Sequence, residues 1–131
     1  MLDALSVLAA ALLFGAMTFY SFGFAPVLFA QMPMEQVRPL LRGTFPYYYA
    51  AVIAMAALAT ALALPLDALS TGLLAAIAIS TIYARQVLMP QINAATDTND
   101  QRAFKRLHGA SVVLQLVQLG LAAWALLRLA S

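Results

Sequence analysis

Cysteine is absent from the 131 residues, which excludes disulfide staples, thiolate nucleophiles and the commonest zinc and iron–sulfur ligand sets. Charge is scarce as well: Lys, Arg, Asp and Glu make up 9% of the chain, and there is 1 histidine. All five carboxylates, Asp3, Glu35, Asp67, Asp97 and Asp100, fall outside the long apolar runs, so no pair of intramembrane acids is available for a proton relay. No glycine-rich phosphate loop is present to drive a pump with nucleotide. The net charge is +2, but the basic residues form no stripe with interleaved aromatics, so nucleic acid is not an expected partner.

The chain is instead 64% hydrophobic. A soluble domain of this size buries only about 60–70% of its surface and would leave large apolar patches in water, whereas helices of about 20 apolar residues are at home in a bilayer. The expected fold class is all-α, an integral membrane four-helix bundle forming a single domain over residues 1–131. The spans are expected at about residues 4–30, 46–64, 70–89 and 106–128, with connections 31–45 and 90–105 at one end of the bundle. Pro26 is expected to bend the first span near one end. Thr44 is expected to cap the second, with Pro46 in its first turn, and Ser70 or Thr71 to cap the third, which ends before Pro90. Gln91 to Asn99 reads as a polar connection, after which Thr98 and Gln101 fit a capping box.

Arg38, Arg42, Arg85, Arg102, Lys105 and Arg106 lie on or beside these two connections, against Arg128 alone at the other end. The positive-inside rule makes the connections cytoplasmic and both termini non-cytoplasmic. The expected location is the bacterial inner (cytoplasmic) membrane, as a multi-pass protein whose surroundings are the lipid bilayer.

Three groups of residues stand out. Gly72, Ala76, Ser80 and Ala84 repeat every four residues and are expected to form a helix-packing seam, or else a contact with a second copy. His108, Ser111, Gln115 and Gln118 follow a three-four-three spacing, one polar stripe on the fourth helix within an arc of roughly 80°. An amide facing hydrocarbon lacks partners, so the stripe must face protein or water, with Thr18, Tyr20, Ser80 and Thr81 at comparable depth. It is read as interhelical hydrogen bonding or as a pathway for a small solute. Finally, Arg42, Tyr48, Arg85 and Asn93, together with His108, are expected to line a cytoplasmic mouth. No metal site, catalytic group or cofactor is expected.

Four segments carry a family resemblance: Met17 to Phe29 (MTFYSFGFAPVLF), Thr44 to Tyr49 (TFPYYY), Met89 to Asn93 (MPQIN) and Phe104 to Ser111 (FKRLHGAS). Together they resemble the bacterial relatives of animal transmembrane protein 205, most specifically in the Phe-Pro-Tyr-Tyr and Phe-x-x-Leu-His-x-x-Ser motifs. Gln115 stands where that resemblance would place an asparagine, which retains the amide. The resemblance implies a four-helix membrane protein and no particular mechanism. The Pro90-x-x-Asn93 ending of the third helix is also similar to anthrone-oxygenase-like membrane proteins, which would imply a cofactor-free oxygenase. The expected function is a non-enzymatic membrane component, either homo-oligomeric or accessory to other membrane subunits. A small-solute transporter or channel using the polar stripe is the alternative, followed by a membrane-embedded oxygenase or redox protein centred on His108.

Overall fold

A computed structural model describes residues 1–131 as four successive helices of 30 residues, α1 (Leu2–Gln31), α2 (Met34–Ala63), α3 (Ala68–Asp97) and α4 (Gln101–Ala130), with no strands. All four are long and apolar enough to cross a membrane. At about 1.5 Å per residue each measures about 45 Å, against roughly 30 Å of hydrocarbon, so their ends project. α1 and α3 each pack against both α2 and α4, which closes an up-down-up-down bundle.

The helices run through residues where the sequence predicts connections. α2 does not begin at Thr44. It starts at Met34, behind an extended Met32 and Pro33, whose carbonyl accepts from the Gln36 and Val37 amides. An extended residue before proline is the sterically favoured arrangement. Thr44 is therefore interior, and its hydroxyl donates back to the Leu41 carbonyl. Pro90 does not end α3 either, and Gln91 to Asp97 continue the helix.

Pro26 and Pro90 each follow a wider, π-helical turn, at Phe19–Phe24 and Ala84–Leu88. In these turns the Ala25 amide reaches back to the Tyr20 carbonyl and the Met89 amide to the Ala84 carbonyl, five residues away. A proline ring collides with the carbonyl four residues earlier and offers it no hydrogen, and the added residue relieves both problems.

Two further caps differ from expectation. Asp67, rather than Ser70 or Thr71, caps α3 by accepting from the Ser70 amide at 3.1 Å. Thr98 closes α3 instead of opening α4. Asn99 takes φ 56°, the Asp100 amide bonds the Ala95 carbonyl and the Asn99 amide bonds that of Thr96, a Schellman ending in which asparagine tolerates the left-handed position. Asp100 then accepts from the Ala103 amide and caps α4. At the opposite end Arg128 grips Asp67 with two hydrogen bonds of 2.9 and 3.1 Å, tying α4 to the α2–α3 turn. The Arg128 guanidinium, aided by Ser70, holds the Asp67 carboxyl well below the usual carboxylate range.

Buried residues alternate at spacings of three and four: Ser6, Ala10, Leu13 and Met17 on α1; Val52, Ala56, Ala59 and Ala63 on α2; Ser70, Leu74, Ile77, Thr81, Ala84 and Leu88 on α3; Gln118, Ala122 and Ala125 on α4. A 3.5-residue period is the seam of a left-handed bundle, and the many alanines let the backbones approach. The predicted Gly72 seam is corrected by this register. Gly72 and Ala76 face outward, Ser80 is half-buried, and only Ala84 is enclosed. Strict four-residue steps advance about 40° each around a helix, so such a row spirals away from a fixed neighbour. Only 20 of 131 residues are buried, while large apolar side chains such as Leu12, Phe19, Ile79 and Leu127 point outward. An apolar exterior on this scale is that of a multi-pass membrane protein.

Candidate functional site

The polar stripe of α4 enters the bundle interior in steps, from an exposed His108 through half-buried Ser111 and Gln115 to a Gln118 that is 3% exposed. At its deep end Gln118 Nε2 donates to Ser80 Oγ at 2.7 Å and to Thr81 Oγ1 at 2.9 Å. Both hydroxyls in turn donate to the Ile77 carbonyl, at 3.1 and 2.6 Å, so each accepts one hydrogen and gives one. This closed network joins α4 to α3. One turn nearer the surface, Gln115 Nε2 donates to Ser21 Oγ at 2.8 Å and to Tyr48 Oη at 2.7 Å, joining α4 to α1 and α2.

The layer expected from Thr18, Tyr20, Ser80 and Thr81 thus forms with two changes. Thr18 Oγ1 is buried without a hydrogen-bond partner, and the Tyr20 hydroxyl pairs with Thr44 Oγ1 at 2.9 Å. Ser21 serves instead. The π-helical turn beginning at Phe19 adds a residue to the helical count, so a face extrapolated from an ideal α-helix no longer predicts which side chain turns inward. The proline at Pro26 was the available signal for that shift.

Above Gln115 lies a cavity of about 300 Å³ to which all four helices contribute. Its walls include Tyr20, Phe45, Tyr48 and Tyr49, with Met89 and Ile92 opposite, and 10 of its 16 lining residues are hydrophobic. The aromatic side is continuous: the Tyr20 and Tyr48 rings stack at 4.0 Å and 12°, and Phe45 meets Tyr20 edge-on at 5.3 Å. Ser21, Arg42, Asn93, His108, Ser111 and Gln115 supply the polar lining. Both π-helical turns border it, through Tyr20, Ser21 and Phe22 on α1 and Met89 just beyond the turn on α3.

Arg42, Tyr48, Asn93 and His108, predicted as a mouth, therefore converge with the polar stripe in one cavity. Arg85 does not belong to it: its Nε donates to the Pro46 carbonyl at 3.2 Å, and it joins α3 to α2. Arg42 is not a free cation, because Asp97 holds its guanidinium in a forked pair at 2.7 and 3.0 Å. His108 stacks on Phe104 at 5.5 Å and 4°. Lining residues not singled out as a site in the sequence include Ser21, Phe45, Tyr49, Met89 and Ile92, which have no helical spacing of their own, although each lies inside a segment that carries the family resemblance.

The fold and cavity define a class: a multi-pass, four-helix membrane protein with a pocket at the end of the bundle that carries the α1–α2 and α3–α4 turns. A family model described as a domain of unknown function, DUF4149, matches residues 8–101, and the chain belongs to that family. The match contains the pocket residues of α1, α2 and α3, while His108, Ser111 and Gln115 lie beyond it. No curated protein and no solved structure matches the chain.

Proposed function

We propose that the protein is a non-enzymatic component of the bacterial inner membrane, a small-molecule receptacle that works as a homo-oligomer or as an accessory to other membrane subunits. The observation that carries this reading is that the polar groups lead in from one end and stop at the Gln118 layer. Beneath it the bundle is filled by Leu13, Met17, Leu74 and Ile77 with the core alanines, all 0% exposed where they meet. Such an interior supports binding from one side rather than flow through a lone chain. No hydrogen bond joins the His108 imidazole to a carboxylate or to the neighbouring Ser111 hydroxyl, which donates to the His108 backbone carbonyl instead, whereas general acid–base and covalent catalysis use such pairings.

Native mass spectrometry from lipid nanodiscs tests the reading. We expect a homo-oligomer or a stoichiometric foreign subunit, with a small molecule retained; a bare, unliganded monomer overturns it. The motifs at Thr44 to Tyr49 and Phe104 to Ser111 further support kinship with the bacterial relatives of animal transmembrane protein 205.

The pocket end carries six of the 7 basic residues, which supports its placement in the cytoplasm with both termini outside. A C-terminal reporter active only in the cytoplasm is expected to stay silent, and strong activity reverses the orientation. Small-solute transport is favoured by one observation, that the stripe from His108 to Gln118 runs along one side of the pocket and below it. That reading requires the Gln118 layer to open.

A further inference from the structure

The chemistry of the pocket restricts what it accepts, provided the receptacle reading holds. Charge comes first. Arg42 is engaged by Asp97 and His108 stands at the exposed outer end, so an ionic ring at the inner end beside Ser21, Tyr48 and Gln115 would be desolvated without a counter-ion. Size comes second: about 300 Å³ is at the lower limit of small-molecule sites and admits a ring-sized headgroup, without room for a long chain beside it.

The hydrogen-bonding inventory comes third. Gln115 spends both amide hydrogens on Ser21 and Tyr48, whose hydroxyls also pair with each other, and the Gln115 carbonyl receives no donor. One O–H donor and one carbonyl acceptor are thus left for a ligand at the inner end of an aromatic wall. The last feature is the flank between α1 and α4. Beyond Thr18 the two helices keep little contact, and Phe22, Val112 and Leu116 border the pocket while remaining 60%, 44% and 53% exposed. In a membrane-spanning chain that flank faces lipid.

We infer that the pocket takes a neutral, ring-bearing lipid of the quinone or phenol class, its oxygenated ring held by Ser21, Tyr48 and Gln115 beside the stacked tyrosines and its hydrocarbon tail leaving between α1 and α4. The ligand arrives from the bilayer rather than from water. Its tail occupies the gap lined by Phe22 and Val112, which explains why a cavity with a polar inner end has an apolar, lipid-facing side.

The full-length protein in nanodiscs is titrated with menadione, a tail-less naphthoquinone, with its decyl-substituted counterpart, and with decyl phosphate as the charged control. Saturable binding of both quinones is expected, at least tenfold tighter with the tail, and none of decyl phosphate at the same site. Tyr48→Phe keeps the ring and removes one donor, and should weaken both quinones about tenfold. Val112→Trp changes an exposed position that leaves the core intact, and should weaken the decyl compound at least tenfold while sparing menadione.

Binding that neither substitution alters overturns the site, and preferential binding of decyl phosphate overturns the neutral class. If no quinone binds but native mass spectrometry retains a molecule of other chemistry, the ligand class fails and the receptacle reading survives. If nothing binds and nothing is retained, both fall.

Discussion

Replacing Gln115 and Gln118 together by leucine is expected to lower the stability of the bundle in mild detergent by about 2 kcal/mol, read as a fall of several degrees in melting temperature. The variant removes four side-chain hydrogen bonds that link α4 to the other three helices. Interhelical hydrogen bonds in membrane bundles contribute about 0.6 kcal/mol on average and rarely more than about 1.7. Leucine is close to glutamine in volume, so the loss reflects polar contacts rather than a cavity. The two residues share no partner, and the single effects should add, with Gln118→Leu the larger because its site is the more enclosed. An unchanged melting temperature would mean that both amides are satisfied by water and that the stripe is wet along its length.

The second large effect separates the observed packing register from the one that the spacing of small residues suggests. Ala59 is 0% exposed in the core cluster, while Ala76 lies on the outward face of α3. Ala59→Leu forces extra side-chain atoms into close-packed helices and should cost about 1–3 kcal/mol or prevent folding. Ala76→Leu adds the same atoms toward lipid and should leave the melting temperature of the monomer within a degree or so. Equal effects would return α3 to the Gly72 register. A change in native mass with Ala76→Leu alone would assign that face to a contact between copies.

The fold was legible in the sequence because its cause is compositional. Four long apolar runs, separated by Pro, Asp and Asn, leave a chain in lipid few solutions other than four helices with short turns. The inward direction of the α4 stripe was legible for a related reason. An amide in hydrocarbon must find a partner, and the three-four spacing of Ser111, Gln115 and Gln118 puts those side chains on one side. The helix boundaries were less legible. Pro90 and the polar stretch after it look like an ending, yet one widened turn at Ala84–Leu88 absorbs the proline and lets α3 run to Asp97. A local rule for proline does not include the neighbours that hold such a turn in place.

The candidate site divides along the same line. Tyr48, Asn93, Arg42 and His108 could be grouped from sequence because depth along a helix follows from counting residues. The pairing of Arg42 with Asp97 across 55 positions could not, and it compensates the one permanent positive charge of the pocket lining. Arg85, at similar depth, turns away to the Pro46 carbonyl. Depth is a property of one helix, whereas pairing depends on rotation about two.

By itself, the sequence determined that this chain lives in a membrane as four helices and that the amides of α4 face inward, because hydrophobicity and hydrogen-bond demand act residue by residue. Tertiary structure alone decided which faces meet, that Ser21 rather than Thr18 receives Gln115, and that four helices form an aromatic pocket whose arginine is paired. Those outcomes depend on helix rotation, on the two widened turns and on long-range charge pairing, which become definite only when all four helices pack together.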